Sequence, residues 1–299
     1  MAAITAVSMK IAGLSFDCFS AAKLAIVCAL MQSLAYFYQV KRPDENLSIT
    51  LSLIAKLIAF SAMATLLSYA VAATDRPTWD QTFLLWDQTL GLNWFAYLNF
   101  MQSHPILTTI CRAAYQSVII QTFVAVGVLG LSGNLKRAEE FVLSYAIAGL
   151  IAIAASGLMP AIAMFIHIGS DDAFTQLVDA PFVATIKSLR DGSLTNITLE
   201  QMDGVITFPS FHTALGVIFG YSFWVLPKWR WIGVAINVLL IAGTPINGGH
   251  YFVDILAGVV AGTVAIWISR LATATRSPPR HLAEISGPLG LQAPPIGSA

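Results

Sequence analysis

Apolar residues in this chain fall into long, nearly uninterrupted runs separated by shorter polar segments. Crossing a bilayer as a helix takes about 17 to 25 such residues. The runs that reach or approach this length are Leu24–Val40, Leu51–Ala73, Pro105–Leu131, Phe141–Ile168, Ser210–Leu226, Trp231–Gly243 and His250–Ser269. The pattern predicts an all-α fold, a polytopic transmembrane helical bundle of about six to seven spans.

The polar segments alternate in charge. Lys41 and Arg42, Lys136 and Arg137, Lys228 and Arg230, then Arg270, Arg276 and Arg280 form a basic set on every second connection. Excess Lys and Arg mark cytoplasmic loops, so these segments and the C-terminus are expected in the cytoplasm. The long connections Thr74–His104 and Gly169–Pro209 are expected on the non-cytoplasmic (periplasmic or luminal) face. Between Trp79 and Trp94 aromatic and acidic residues alternate, which suits an interfacial cap over that face. Residues 1–23 read as an N-terminal segment suited to the interface, 24–270 as the transmembrane domain, and 271–299 as a Pro- and Gly-rich tail expected to be disordered in the cytoplasm.

Composition agrees. With 57% hydrophobic residues, 11% charged residues and a mean hydropathy of +0.72, the chain of 299 residues is more apolar than a soluble domain of its length. Its 16 Lys and Arg balance 16 Asp and Glu, which leaves no basic excess for nucleic acid. Cys18, Cys28 and Cys111 have no CxxC spacing and read as packing residues. No His, Cys or carboxylate cluster has metal-ligand spacing, and Asp171–Asp172 stands alone, so neither a metal nor a cofactor is expected.

Ionisable side chains near a bilayer are costly and therefore point to function. His212 follows Pro209 and Ser210 at the start of one predicted span, and His250 follows Gly248 and Gly249 at the start of the last. Both histidines are thus expected at the same outer level. Asp254, four residues after His250, shares its helix face, where a carboxylate can hold Nδ1–H and leave Nε2 as a nucleophile. Helix N-termini supply unpaired N–H groups for a phosphate, and Gly248 and Gly249 permit close backbone approach. A lone histidine at a helix end is more often a satisfied interfacial residue; two histidines with Asp254 are a more specific pattern.

These residues, Pro209-Ser210-Phe211-His212 and His250-Tyr251-Phe252-Val253-Asp254, resemble the second and third motifs of the type 2 phosphatidic acid phosphatase superfamily. The bulky residue before His212 and the run Gly-His-Tyr-Phe-Val-Asp are most similar to its inositolphosphotransferase branch, which includes inositol phosphorylceramide synthases. The resemblance covers roughly Lys187 to Gly262 and, more weakly, the earlier spans. It implies His250 as nucleophile, Asp254 as its orienting partner and His212 as general acid. It also implies a phospholipid or lipid phosphate as substrate, a polyol or ceramide-type alcohol as a further acceptor, and a bell-shaped pH profile.

The chain departs from the family where the third motif carries Ser-Arg, since Gly243 and Thr244 stand there, and the strict first motif is absent. Lys187 and Arg190 are the expected substitutes for the phosphate clamp, against the plainer reading of a solvated pair. Arg112 is a further phosphate-binding candidate beside Tyr115, against snorkelling to the interface. Ser210 and Gly249 complete the expected phosphate site. The rival reading, a non-catalytic transporter subunit or scaffold, needs polar residues running through the bilayer centre. Here they gather at one level.

Overall fold

The computed structural model describes residues 1–168 and 180–274. Asp171, Asp172 and the tail beyond Ala274 lie outside the described residues.

The fold is an all-α polytopic bundle, with a single two-residue parallel pairing among the described residues, Ser15–Phe16 (β1) on Asn196–Ile197 (β2), outside it. The N-terminal segment is helical, α1 covering Ala2–Ile11, and α2 covers Cys18–Val40, so the boundary expected at residue 23 falls inside a helix. α3 runs over Glu45–Ala72. Both long helices start on an aspartate N-cap: Asp17 accepts from the Ser20 N–H at 2.8 Å and Asp44 from the Leu47 N–H at 3.0 Å.

The predicted span Pro105–Leu131 is two helices, α6 (Pro105–Gln116) and α7 (Val118–Leu131), bent by 55°. Polar groups interrupt the ladder at the bend. Ser117 Oγ donates to the Ala114 carbonyl at 2.7 Å and accepts from Gln121 Nε2 at 2.8 Å, and Asn237 donates to Gln121 Oε1 at 3.0 Å.

α8 covers Leu135–Leu158, earlier at both ends than the Phe141–Ile168 expected. Its charged first turns escaped a hydropathy reading, although Arg137 and Glu140 pair one turn apart at 3.4 Å. Pro160 has no N–H to continue the helix, and the chain instead makes a single turn at Met164–His167.

α10 (Phe211–Phe223) is shorter than the span expected over Ser210–Leu226: its 13 residues reach about 20 Å, less than the hydrocarbon core. α11 (Arg230–Asn247) is longer than expected, because the helix runs through Gly243 and takes Pro245 into its last turn. α12 covers Phe252–Ala274. Among the described residues five helices are long and apolar enough to cross a membrane, or six with the bent pair counted as one, and the chain is an integral multi-pass membrane protein.

The two long connections fold into α4 (Asp80–Thr89), α5 (Trp94–Ser103) and α9 (Pro181–Arg190), which sit over one end of the bundle. Under them an aromatic cluster includes Phe83, Trp94, Phe165 and Tyr251, with Phe83 stacked on Phe208 at 4.7 Å. The acidic residues of α4 are not interfacial as expected. Asp80 and Asp87 are 2% and 1% exposed, on the face that also buries Phe83.

α10 and α12 approach closely because α12 carries glycines one turn apart. A Cβ on Gly258 would lie 2.5 Å from the Ser210 carbonyl oxygen, and one on Gly262 2.7 Å from that of Ala214. This small-xxx-small spacing lets two backbones touch where lipid supplies no hydrophobic drive. Gly258→Ala and Gly262→Ala should each cost about 1–3 kcal/mol by overpacking, read as a lowered thermal midpoint in detergent. Gly127→Ala, which meets nothing within 4 Å, should not lower it.

Candidate active site

The second motif forms around a helix start. Ser210 is the N-cap of α10, its Oγ accepting from the Thr213 N–H at 3.3 Å, so His212 stands in the first turn. The Phe208–Pro209 peptide is cis. The Ser210 N–H donates to the Asp254 carbonyl at 3.0 Å and fastens this start to the first turn of α12.

The third motif wraps onto Asp254. Its Oδ2 lies 3.2 Å from His250 Nδ1 and accepts the Tyr251 N–H at 2.9 Å. With Nδ1 held by the carboxylate, the other ring nitrogen, Nε2, points to Ser210 Oγ at 3.4 Å. His250 lies in the connection between α11 and α12, and burial holds its imidazole below the ordinary value, down to about 4, so it is neutral at pH 7.

A cavity of about 120 Å³ opens beside these groups, lined by His212, His250, Gly248, Thr207 and Tyr115. Tyr115 stacks flat on His212, with ring centroids 4.2 Å apart and planes at 13°. Gly248 keeps the space between them clear: a Cβ there would lie 2.7 Å from His250 Cδ2, 3.1 Å from His250 Nε2 and 2.8 Å from the Tyr115 hydroxyl. Gly249, at φ +61°, takes a left-handed conformation, and its carbonyl accepts from the Met164 N–H at 2.7 Å. Beyond Thr207 the cavity extends between α3 and α8 along Ser61, Thr65, Ser68 and Tyr145, with Asp203 on its wall.

The structure thus brings His250, Asp254, His212, Ser210 and Gly249 together, and the three expected basic residues lie elsewhere. Arg190 donates to Asp75 at 3.1 Å and to the Thr74 and Arg76 carbonyls, pinning α9 to the connection after α3. Lys187 and Arg112 are exposed. Among the described residues no Lys or Arg lines the cavity, and α6 presents Tyr115 to it. Gly243 and Thr244, at the position of the family's Ser-Arg, are buried against α6, where a Cβ on Gly243 would lie 2.8 Å from the Cys111 carbonyl oxygen.

Two supports went unread in the sequence. Asp87 accepts the Phe252 and Val253 N–H groups at 2.8 and 2.9 Å, capping α12 from another helix. Burial raises its pKa, while those two hydrogen bonds pull it down. Asp80 accepts the Ile162 N–H at 3.1 Å and the Tyr251 hydroxyl at 2.9 Å, and that hydroxyl also meets His167 Nε2 at 2.9 Å. The available signal was spacing: Asp80 and Asp87 stand two helical turns apart, on one face with Phe83. Asp87→Ala should leave two buried donors unpaired and cost about 1–2 kcal/mol, measured as a lowered thermal midpoint, with a smaller loss for Asp87→Asn.

A family model described as the PAP2 superfamily matches residues 81–268, well over half of the chain and inclusive of both motifs. Neither the curated proteins nor the solved structures give a match. The family match and the joined motifs agree: the chain belongs to the PAP2 superfamily.

Proposed function

We propose that the protein is a lipid phosphotransferase or phosphatase working through a phosphohistidine at His250. Membership of the PAP2 superfamily supports the general class, a phosphatase-type lipid enzyme. The observation that carries the mechanism is the cavity lined by His250, Gly248 and the stacked Tyr115 and His212 rings.

In the first step Nε2 of neutral His250 attacks phosphorus, the bond to the leaving lipid oxygen breaks, and His212 gives that oxygen its proton. Asp254 stabilises the cationic imidazole as the N–P bond forms. In the second step water or an alcohol attacks phosphorus, hands its proton to His212, and the N–P bond breaks. The Ser210 hydroxyl and the N–H groups opening α10 steady the phosphate oxygens. The negative phosphate also favours the protonated form of His212. No step is routed through a metal.

The lining favours a particular substrate class. With Asp203 on the wall and no Lys or Arg among the described lining residues, a singly charged phosphodiester is easier to hold than a doubly charged monoester. The hydroxyls of Ser61, Thr65, Ser68 and Tyr145 suit a hydroxyl-rich head group or acceptor. Both features support transfer of a phosphoalcohol from a phospholipid to an alcohol, the inositolphosphotransferase-like reading, with the site on the non-cytoplasmic face and the C-terminus cytoplasmic.

Purified wild type and His250→Ala, given phospholipids and lipid phosphates with a chelator, with and without ceramide and inositol-type acceptors, should differ by roughly 10³-fold or more in free phosphate or new lipid. Equal turnover, or none from either, would remove the proposal. The acid limb of kcat/KM should lie nearer pH 4 than 6.5, because burial favours neutral His250; rising pH through that limb restores the nucleophile. Gly248→Ala should lower turnover about 10²-fold, because its Cβ would meet His250 Cδ2 at 2.7 Å and the Tyr115 hydroxyl at 2.8 Å and push both rings out of place.

A further inference from the structure

A second cavity, of about 730 Å³, lies at the opposite end of the helices that carry the histidines. It is bordered by the start of α8 and the ends of α10 and α12. From His250 to Arg270 the rise along α12 is roughly 27 Å, close to the thickness of the hydrocarbon core. The cavity therefore sits at the head-group level of the other leaflet.

Its walls are basic. Lys136, Arg137 and Arg270 line it, against the single carboxylate of Glu140. That carboxylate is 5% exposed and already engaged, accepting from the Tyr221 hydroxyl at 2.9 Å and Thr273 Oγ1 at 3.4 Å and pairing with Arg137 at 3.4 Å. Arg137 is pre-organised, its guanidinium 3.9 Å from the centroid of the Tyr221 ring and donating to the Tyr221 carbonyl at 3.3 Å. Lys136 and Arg270 are exposed and make no ion pair among the described residues. The first turn of α8 adds unpaired N–H groups and the positive end of a 24-residue helix. Trp267, 62% exposed, supplies an apolar wall at the same level.

We propose that this cavity binds the phosphate head group of an anionic membrane phospholipid, with Lys136 and Arg270 as the free cations, Arg137 as the fixed one and Trp267 against the lipid's apolar part. Charge complementarity selects this occupant. Basic pockets between transmembrane helices hold anionic head groups in this way, and a solvated anion would gain nothing from the tryptophan wall. The chain's own tail is a poor counter-charge, since it carries Arg276 and Arg280 against Glu284.

The test is native mass spectrometry of the full chain in detergent with equal phosphatidylglycerol and phosphatidylcholine. The wild type should retain phosphatidylglycerol in preference. The double variant Lys136→Ala/Arg270→Ala, and its Gln/Gln counterpart, should lose that preference on the order of ten-fold while keeping the thermal midpoint. His250→Ala should retain it. Equal retention of both lipids by the wild type, or an unchanged preference in the double variants, overturns the proposal. So does loss in His250→Ala, which would place the lipid at the histidines, or displacement by millimolar inorganic phosphate, which would make the cavity a free-anion site.

Discussion

The site depends on backbone contact between α10 and α12. Neither motif is complete alone: His212 belongs to one helix, His250 and Asp254 to the connection and first turn of the other. Gly258 and Gly262 remove the side chains that would hold the helices apart, with 2.5 and 2.7 Å between an added Cβ and the carbonyl oxygens of Ser210 and Ala214. At the same level the Ser210 N–H reaches the Asp254 carbonyl at 3.0 Å. In a bilayer apolar side chains gain little by leaving lipid for protein, so this dispersion contact and hydrogen bond must come from geometry. A residue larger than glycine on this seam changes the relative height of the two histidines.

The second constraint is the set of buried carboxylates around residues 250–254. Asp80, Asp87 and Asp254 are all 2% exposed or less, and each faces backbone N–H groups or a hydroxyl. Buried carboxylates of this kind are costly unless hydrogen-bonded, and their hydrogen bonds then fix geometry strongly. Asp87 sets where α12 begins, Asp80 fixes Tyr251 through its hydroxyl, and Asp254 orients the imidazole between them. The cap helix α4 thus acts as a strut for residues 250–254 as well as a cover.

Much of this was legible in the sequence because it depends on local periodicity. The apolar runs revealed the bundle, and the four-residue spacing of His250 and Asp254 gave one helix face and so the Nδ1 contact now seen at 3.2 Å. What escaped was tertiary. Hydropathy misjudged the start of α8, where Lys136, Arg137, Glu139 and Glu140 are helical despite their charge. It joined α6 to α7 because a bend made by Ser117 and Gln121 leaves no gap in an apolar run. The basic residues near the motifs in sequence, Lys187 and Arg190, form the end of a cap helix and do not line the cavity. Proximity along the chain was a poor guide to proximity across the bundle, whereas Asp87 reaches α12 across 165 residues.

The absence of Lys and Arg from the described lining has a consequence for chemistry. The internal segment 169–179, which lies outside the described residues, contains neither residue type. A dianion entering this cavity would trade water for backbone dipoles, a hydroxyl and the His212 ring, with Asp203 opposing it. A monoanionic diester loses far less solvation on entry, and its leaving oxygen needs only the one proton that His212 can give. On the proposed mechanism, the hydroxyls along α3 and α8 would orient an alcohol toward phosphorus in the second step. Gly243 and Thr244 at the position of the family's Ser-Arg fit the same proposal: the Cys111 backbone of α6 closes the space at Gly243, and a site without that arginine would suit a donor carrying one charge fewer.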